Sequence, residues 1–378
     1  MSLSQTETET PLPSIFWLSP KASLQRLLDA LRSDGLTVIG PVIDQQAVVY
    51  EEVVHVDQLP RGWTDVQGPG SYRLQRTSDE TWFDFVVGPH SWKKFLYPPR
   101  LTLSAAKPTS TGWHFETAAD VPPRLAFLGV RACEIAALRV QDRVLLEGPY
   151  VDPVYQGRRN QAFILAVNCT RSGTNCFCTS MQTGPACTSG FDLALTELPE
   201  GFVIEVGSER GRRIIASCPV REATATELTD ADAARQHAVG QQTKRLETAG
   251  LPQLLMARLD HPRWDDVGAR CLSCTNCTLV CPTCFCCSVE EVSDLNTGRI
   301  ERQRSWDSCF REEFSNLNGR PVRPDTASRY RQWLTHKLST WHDQFGTSGC
   351  VGCGRCITWC PVGIDLTEEV AAIRETAS

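Results

Sequence analysis

The chain has 378 residues, of which 41% are hydrophobic and 22% are charged, and its formal net charge is -6. Its length suits two domains of roughly 100 to 200 residues each. A slightly acidic chain lacks the basic surface of nucleic-acid-binding proteins, so we expect no nucleic-acid partner. No apolar stretch approaches the roughly 18 residues of a membrane-spanning helix, so we expect no membrane partner either.

Cysteine is the unusual feature of the composition, since the chain has 18 of these residues. Disulfide frameworks typically occur in small secreted chains. Residues 1–13 contain neither the basic nor the apolar segment of a secretory signal. We therefore expect a cytoplasmic protein, in which thiols stay reduced and clustered cysteines usually bind metal.

The first half alternates predicted helices and strands. Leucines at helical spacing predict a helix over residues 23–32, which Gly35 ends before a predicted strand over residues 36–43. A strand, a helix and a second strand are predicted to form a β-α-β unit over residues 125–130, 134–146 and 162–167. Strands over residues 202–206 and 213–216 are predicted to form a later hairpin.

The β-α-β unit is predicted to bring cysteines together, because parallel strands joined by a crossover helix end at the same edge of the sheet. Cys133 follows the first strand and Cys169 follows the second. Cys176 and Cys178 lie in the loop after the second strand, and four thiolates suffice for one [4Fe-4S] cluster. Cys187 lies in the same loop and is an alternative to any one of them, and buried free thiols are the alternative to a cluster.

The second half has few β-branched runs, and helices are predicted over residues 302–316 and 329–340. The polar stretch 221–250 predicts a helix that bridges the two halves. We therefore expect an α+β protein, with an α/β domain over residues 1–245 and a helical domain over residues 246–378.

The spacing C-x2-C-x2-C-x3-C-P occurs twice in the second half. The first copy is Cys271, Cys274, Cys277 and Cys281 before Pro282, and the second is Cys350, Cys353, Cys356 and Cys360 before Pro361. In such a run three thiolates bind one cluster and the fourth binds the other. The sequence therefore predicts two [4Fe-4S] clusters, one on Cys271, Cys274, Cys277 and Cys360 and the other on Cys350, Cys353, Cys356 and Cys281.

Zinc is the alternative metal, but zinc ribbons need two cysteine pairs with a long spacer rather than two compact runs of four cysteines. The nearly 70 residues between the two copies fit the helical form of the two-cluster ferredoxin domain. Three more cysteines follow the first copy: Cys284, Cys286 and Cys287. Together with Cys309 they either form a zinc site or pack beside the cluster. No role is assigned to Cys218.

Motifs for other cofactors are missing from the sequence. No G-x-G-x-x-G follows a predicted strand and no P-loop occurs, so we expect no nicotinamide site on this chain. The seven histidines are scattered, and no Cys/His or Ser/His catalytic arrangement stands out. We therefore predict no catalytic residues and interpret the chain as an electron conduit.

Several segments resemble the β subunit of cytoplasmic NAD(P)-linked [NiFe] hydrogenases, the sulfhydrogenase β subunit. They are Gly-Val-Arg-Ala-Cys-Glu at 129–134, Asp-Pro-Val-Tyr at 152–155 with two arginines at 158–159, Asn-Cys-Phe-Cys-Thr-Ser-Met at 175–181, Trp-Asp-Ser-Cys at 306–309 and Gly-Cys-Gly-Arg-Cys at 352–356. The resemblance covers about residues 72–373, and the order of the motifs makes it specific. The A subunit of anaerobic sulfite reductase is closely similar.

The resemblance implies an iron-sulfur subunit that relays electrons between two partners. One is a diaphorase subunit with flavin and NAD(P) sites. The other is the hydrogenase small subunit, whose clusters lead to the nickel-iron site of the large subunit. The alternative function is electron transfer within an anaerobic sulfite reductase, where the partner of the similar subunit carries siroheme.

The first half is also similar to the β subunit of deazaflavin-reducing hydrogenases. This similarity implies a third [4Fe-4S] cluster on Cys133, Cys169, Cys176 and Cys178. That related subunit binds flavin, but we expect none on this chain. Two further hypotheses are a flavin-bearing catalytic subunit and a zinc-stabilised interaction protein.

Overall fold

The computed structural model describes residues 15–117 and 121–375. Its strands are β1 (Ile15–Leu18), β2 (Thr37–Asp44), β3 (Ala47–Glu52), β4 (Trp63–Gly68), β5 (Ser71–Arg76), β6 (Arg100–Thr109), β7 (Gly112–Thr117), β8 (Leu125–Val130), β9 (Phe163–Val167), β10 (Leu193–Leu198), β11 (Gly201–Val206), β12 (Val220–Glu222), β13 (Cys287–Ser293), β14 (Ile300–Trp306), β15 (Asn316–Leu317) and β16 (Arg320–Pro321).

The described helices are α1 (Leu24–Ser33), α2 (Lys93–Leu96), α3 (Ala132–Leu145), α4 (Pro153–Gln161), α5 (Glu209–Ile215), α6 (Ala225–Gly240), α7 (Leu251–Ala257), α8 (Arg263–Arg270), α9 (Asn276–Leu279), α10 (Thr326–Thr335), α11 (Trp341–Phe345), α12 (Arg355–Thr358) and α13 (Leu366–Glu375). A π-helical turn, His336–Thr340, joins α10 to α11. Single 3-10 turns lie at Lys21–Ser23 and Val56–Gln58.

An eight-stranded sheet in the order β12-β1-β11-β10-β9-β8-β2-β3 forms the centre of the first half. Its inner strands β2, β8, β9 and β10 run parallel, and antiparallel strands flank them. The sheet is covered on both faces, as parallel sheets require. In β8, Ala126 and Leu128 pack with the leucines of α1, whereas Phe127 and Val130 pack with α3 and α4.

The predicted β-α-β unit is confirmed, because β8 and β9 pair in parallel and α3 and α4 lie between them in the chain. The predicted hairpin at residues 202–206 and 213–216 is wrong. Residues 209–215 form α5, and β11 pairs with β10 and β1 instead. Ser208 accounts for the difference, since its side chain accepts a hydrogen bond from the Gly211 amide and caps the helix.

The second half is helical apart from two hairpins, and the predicted helix over residues 302–316 is wrong. Residues 300–306 form β14, which pairs with β13 and with β6 of the first half. Pairing with neighbouring strands overrides the local pattern here. The predicted helix over residues 329–340 is confirmed by α10 and the π turn.

Strands of both halves form a four-stranded sheet in the order β13-β14-β6-β7. Further contacts also join the two halves. Phe177 of the first half is fully buried in the apolar core of the second. The β4–β5 hairpin lies against the second cysteine motif, where the Gly70 amide donates to the Ile357 carbonyl at 3.0 Å. The boundary expected near residue 245 is therefore crossed by strands and by a packed core, and it stays a prediction. The mixed α/β class is confirmed.

No helix among the described residues is long and apolar enough to cross a membrane.

The contact at Gly352 gives a test of how the halves interlock. A Cβ atom there would lie 2.6 Å from the Phe177 carbonyl oxygen, and φ is +65°. Gly250 has nearly the same φ, +63°, and nothing lies within 4 Å of its Cβ position. We expect Gly352→Ala to lower the free energy of unfolding by about 1–3 kcal/mol more than Gly250→Ala, because only the first substitution overpacks a contact. Urea denaturation followed by circular dichroism measures both, and equal losses would contradict the interlock.

Candidate iron-sulfur centres

The two cysteine motifs wind their chains in the same way. In the first motif, positive φ angles occur two and four residues after the first cysteine, at Ser273 (49°) and Thr275 (69°). The equivalent positions of the second motif are Gly352 (65°) and Gly354 (76°). A four-residue helix follows at once in each, α9 and α12. The repeat of spacing is therefore also a repeat of structure.

Backbone amides point at the first thiol of each motif. The Ser273 amide nitrogen lies 3.4 Å from Sγ of Cys271, and the Gly352 amide nitrogen lies 3.5 Å from Sγ of Cys350. Hydrogen bonds to sulfur hold thiolate ligands and tune the metal group that they bind. The tight turns thus both gather the thiols and supply donors to them.

A first cavity, with about 470 Å³ of empty space that is partly open to solvent, lies beside the first motif. The cysteines that line it are Cys271, Cys274, Cys277, Cys356 and Cys360. Its other described lining residues are uncharged and include three aromatic side chains, Phe310, Tyr330 and Trp333. The first three cysteines of one motif therefore meet the last cysteine of the other.

A second cavity, with about 300 Å³ of empty space, lies between the motifs. The cysteines that line it are Cys281, Cys350, Cys353 and Cys356. Two basic side chains, Lys337 and Arg355, also line it. Cys356 is common to both cavities, so they share a wall.

Several thiols in these cavities are desolvated. Burial raises the pKa of Cys277 well above its usual value, and the charges of Cys271 and Cys360 raise it further. Burial also raises the pKa of Cys350 to about 12. Thiols that bind metal must lose their protons, and the positive charge of a metal group favours that loss. The donor set fits [4Fe-4S] clusters, whose irons are held by thiolates.

Four of the six cysteines of the first half, Cys133, Cys169, Cys176 and Cys178, also lie in one region. Cys133 lies in the first turn of α3 and Cys169 follows β9. Burial raises the pKa of Cys133, and the nearby charges of Cys353, Cys178 and Cys169 raise it further. Burial likewise raises the pKa of Cys176, as do the charges of Cys178 and Cys169. The sheet edge brings these thiols together, and Cys353 of the second cavity is their neighbour.

Two polar side chains contact this third group. Nε2 of Gln242 lies 3.1 Å from Sγ of Cys178, and Nη1 of Arg131 lies 4.0 Å from Sγ of Cys169. Arg131 is held in place by the carbonyls of Phe83 and Phe85, each at 2.9 Å. Donors of this kind are the expected surroundings of thiolate ligands.

The remaining cysteines lie in different environments. Cys187 is buried, and its amide donates to Oδ1 of Asn168 at 2.7 Å. Burial and the charge of Cys169 raise the pKa of Cys187, so it borders the third group. Cys218 lies in the apolar core around α1 and its thiol contacts the Ile214 carbonyl at 3.7 Å.

The cysteines behind the first motif form close pairs. A hydrogen bond from Cys284 holds the pKa of Cys281 well below its usual value, and one from Cys309 lowers the pKa of Cys286 to about 7. Cys287 begins β13, opposite Trp306 of β14. Over residues 15–117 and 121–375, no three Cys, His, Asp or Glu side chains converge as ligands of one metal ion.

A fully buried ion pair links the third group to the second cavity. Nη2 of Arg355, between Cys353 and Cys356 in the chain, lies 2.5 Å from Oε1 of Glu134, which follows Cys133. Both side chains are at most 1% exposed. Glu134 also accepts hydrogen bonds at 3.1 Å from Tyr50, from Trp92 and from the Arg131 amide.

Sequence reasoning missed the roles of Glu134, Arg355 and Lys337. Glu134 and Arg355 lie in segments that carry the family resemblance. Their position next to a cysteine is the signal in the sequence that could have identified them. Lys337 lies in an ordinary helical pattern and no signal marks it. It lies in the π turn, and its side chain lines the second cavity.

Comparison with known proteins supports iron-sulfur clusters in this chain. Residues 270–364 match the family of 4Fe-4S dicluster domains. The fold and the cysteine sites therefore define an iron-sulfur electron-transfer subunit. Over 343 residues the chain is 30% identical to sulfhydrogenase 2 subunit beta of Pyrococcus furiosus, covering 89% of this chain and 92% of that protein. The chain belongs to the family of sulfhydrogenase β subunits, which confirms the resemblance seen in the sequence. No solved structure matches it.

Breaking the buried Glu134–Arg355 pair is expected to destabilise the protein strongly. Glu134→Gln should lower the free energy of unfolding by about 3–5 kcal/mol, because it leaves a buried guanidinium without its counter-charge. The exposed pair of Arg61 and Glu80 is the control, and Glu80→Gln should cost at most about 1 kcal/mol. Anaerobic urea denaturation measures both. A loss in Glu134→Gln as small as in the control would contradict this role.

Proposed function

We propose that this chain relays electrons between a flavin- and NAD(P)-binding diaphorase subunit and the small subunit of a soluble [NiFe] hydrogenase, whose large subunit holds the nickel-iron site. The observation that carries the proposal is the row of three neighbouring cysteine sites. Cys356 lines both ferredoxin-type cavities, and Cys353 borders the third group. Adjacent sites of this kind suit stepwise transfer of single electrons. The name of the relative, a sulfhydrogenase subunit, supports the type of complex.

The proposed ligand sets follow the cysteine cavities. One [4Fe-4S] cluster would bind Cys271, Cys274, Cys277 and Cys360, and a second would bind Cys281, Cys350, Cys353 and Cys356. The lining of the two cavities supports this exchange of the fourth ligand between motifs. When bound, each cluster supplies a site that accepts and releases one electron. The protein supplies the thiolates, the N–H donors to sulfur and the exclusion of water.

A third [4Fe-4S] cluster is proposed on Cys133, Cys169, Cys176 and Cys178. The proximity of these four thiols, of which Cys133 and Cys178 are buried and the other two partly exposed, supports it. The proposed similarity of the first half to deazaflavin-reducing hydrogenase β subunits supports it as well. Cys187 is the alternative ligand, because it lies next to Cys169. The proposal includes no flavin or nicotinamide on this chain.

The iron content of cysteine variants tests the ligand sets. The loaded protein should contain about twelve irons, four for each of three clusters. Cys281→Ser should lose about four of them, and the loss should fall on the cluster held by the second motif. Cys133→Ser should lose a different set of about four. Cys218→Ser is the control, since that thiol lies in the apolar core.

Anaerobic iron and sulfide analysis with EPR of the reduced protein separates the outcomes. About eight irons in the unchanged protein would contradict the third cluster. Loss of the cluster on the first motif in Cys281→Ser would contradict the exchanged ligand. Zinc without iron or sulfide would contradict both and would favour an interaction protein.

The composition of the intact complex tests the relay. We expect the complex purified anaerobically through a tagged copy of this chain to contain nickel and flavin, and we expect hydrogen gas to reduce its clusters. The measurement is metal and cofactor analysis followed by EPR under hydrogen. Siroheme in place of nickel would contradict the hydrogenase assignment and favour the sulfite reductase alternative. Flavin in the purified single chain would contradict a purely conducting role.

A further inference from the structure

The two ferredoxin-type cavities differ in charge. No described residue that lines the first cavity is Asp, Glu, Lys, Arg or His. Lys337 and Arg355 line the second, and both are at most 2% exposed. Two sites built from the same repeated motif are therefore placed in different electrostatic surroundings.

The contacts of Lys337 direct its charge at a thiol. Its Nζ lies 3.3 Å from Sγ of Cys281, 3.1 Å from Oγ1 of Thr283 and 3.0 Å from the Gly349 carbonyl oxygen. Thr283 in turn donates to the same carbonyl at 2.6 Å. Three acceptors thus match the three donors of an ammonium group, and the amine has one fixed position.

Lys337 differs from Arg355 in lacking a protein counter-charge. Arg355 pairs with Glu134, whereas no carboxylate within the described part of the chain forms an ion pair with Lys337. Buried charges are normally paired, because leaving water is costly for an isolated ion. The group of opposite charge in contact with Lys337 is the thiolate of Cys281, together with the cluster proposed in the second cavity.

We propose that Lys337 tunes the reduction potential of the cluster bound by Cys281, Cys350, Cys353 and Cys356. Reduction adds one electron to this cluster, and a fixed positive charge at a buried ligand stabilises that added negative charge. The cluster in the second cavity then has a higher potential than the same cluster would have without the Lys337 charge. This inference depends on the proposed ligand sets.

Substitutions at Lys337 separate its charge from its packing. Lys337→Met removes the charge and keeps an unbranched chain of similar volume, and Lys337→Gln keeps a hydrogen-bond donor without the charge. Lys337→Arg keeps the charge. The matched control is Lys93→Met. Lys93 is also buried, but its amine donates to the Cys284 carbonyl at 3.0 Å and lies over the Trp306 ring instead of bonding to a ligand thiol.

The experiment is a potentiometric titration of the full chain, followed by EPR. The signal of the second cluster is assigned as the one that Cys281→Ser removes. We expect its potential to fall in Lys337→Met and Lys337→Gln, to stay near the original value in Lys337→Arg, and to shift less in Lys93→Met. The potential of the first cluster should hardly change in any of them.

Each other outcome has a definite meaning. An unchanged potential in a Lys337→Met or Lys337→Gln variant with full iron content would overturn the inference. Loss of the cluster from both would assign Lys337 a structural role and would overturn it as well. An equal shift in Lys93→Met would overturn the specific role of the contact with Cys281. If Cys281→Ser instead removes the cluster of the first motif, the ligand proposal itself fails, whatever the Lys337 variants do.

Discussion

The ion pair between Glu134 and Arg355 is the constraint on which the arrangement of the sites depends. It has no access to water, and its two members are sequence neighbours of Cys133, Cys353 and Cys356. A buried pair of this kind tolerates little displacement, because any separation leaves charge without compensation in a medium of low polarity. The cysteines beside the pair are therefore held at a fixed distance across the junction of the two halves.

Glycines permit this close junction. Backbone of the loop that carries Cys178 lies against Gly352, and the Asn175 carbonyl would lie 2.4 Å from a Cβ at Gly354. Both glycines also have the positive φ that the winding of the motif needs. Gly352 and Gly354 therefore have two roles. They form the turn that brings the thiols of the second motif together, and they form the surface that contacts the cysteine loop of the first half.

The sequence was sufficient for features that depend on local spacing. The β-α-β unit and α1 follow from hydrophobic periodicity. The repeated cysteine spacing marks the two cavities, each of which is lined by cysteines of both motifs. The sequence was insufficient where the structure of a segment depends on contacts with residues distant in the chain. β14 is a strand that pairs with β13 and with the distant β6. Lys337 contacts the thiol of Cys281, 56 residues away in the chain.

The electrostatic design follows from how each buried charge is compensated. Arg355 is neutralised by Glu134, so its main effect is to hold the junction together. Lys337 has hydrogen-bond acceptors but no carboxylate among the described residues, so its charge remains available to the second cavity. Cys274 of the first cavity, by contrast, is exposed to solvent, which screens charge. The Lys337 cation at the second cavity and the exposure of Cys274 at the first therefore make the two repeated sites unequal, although their cysteine spacing is identical.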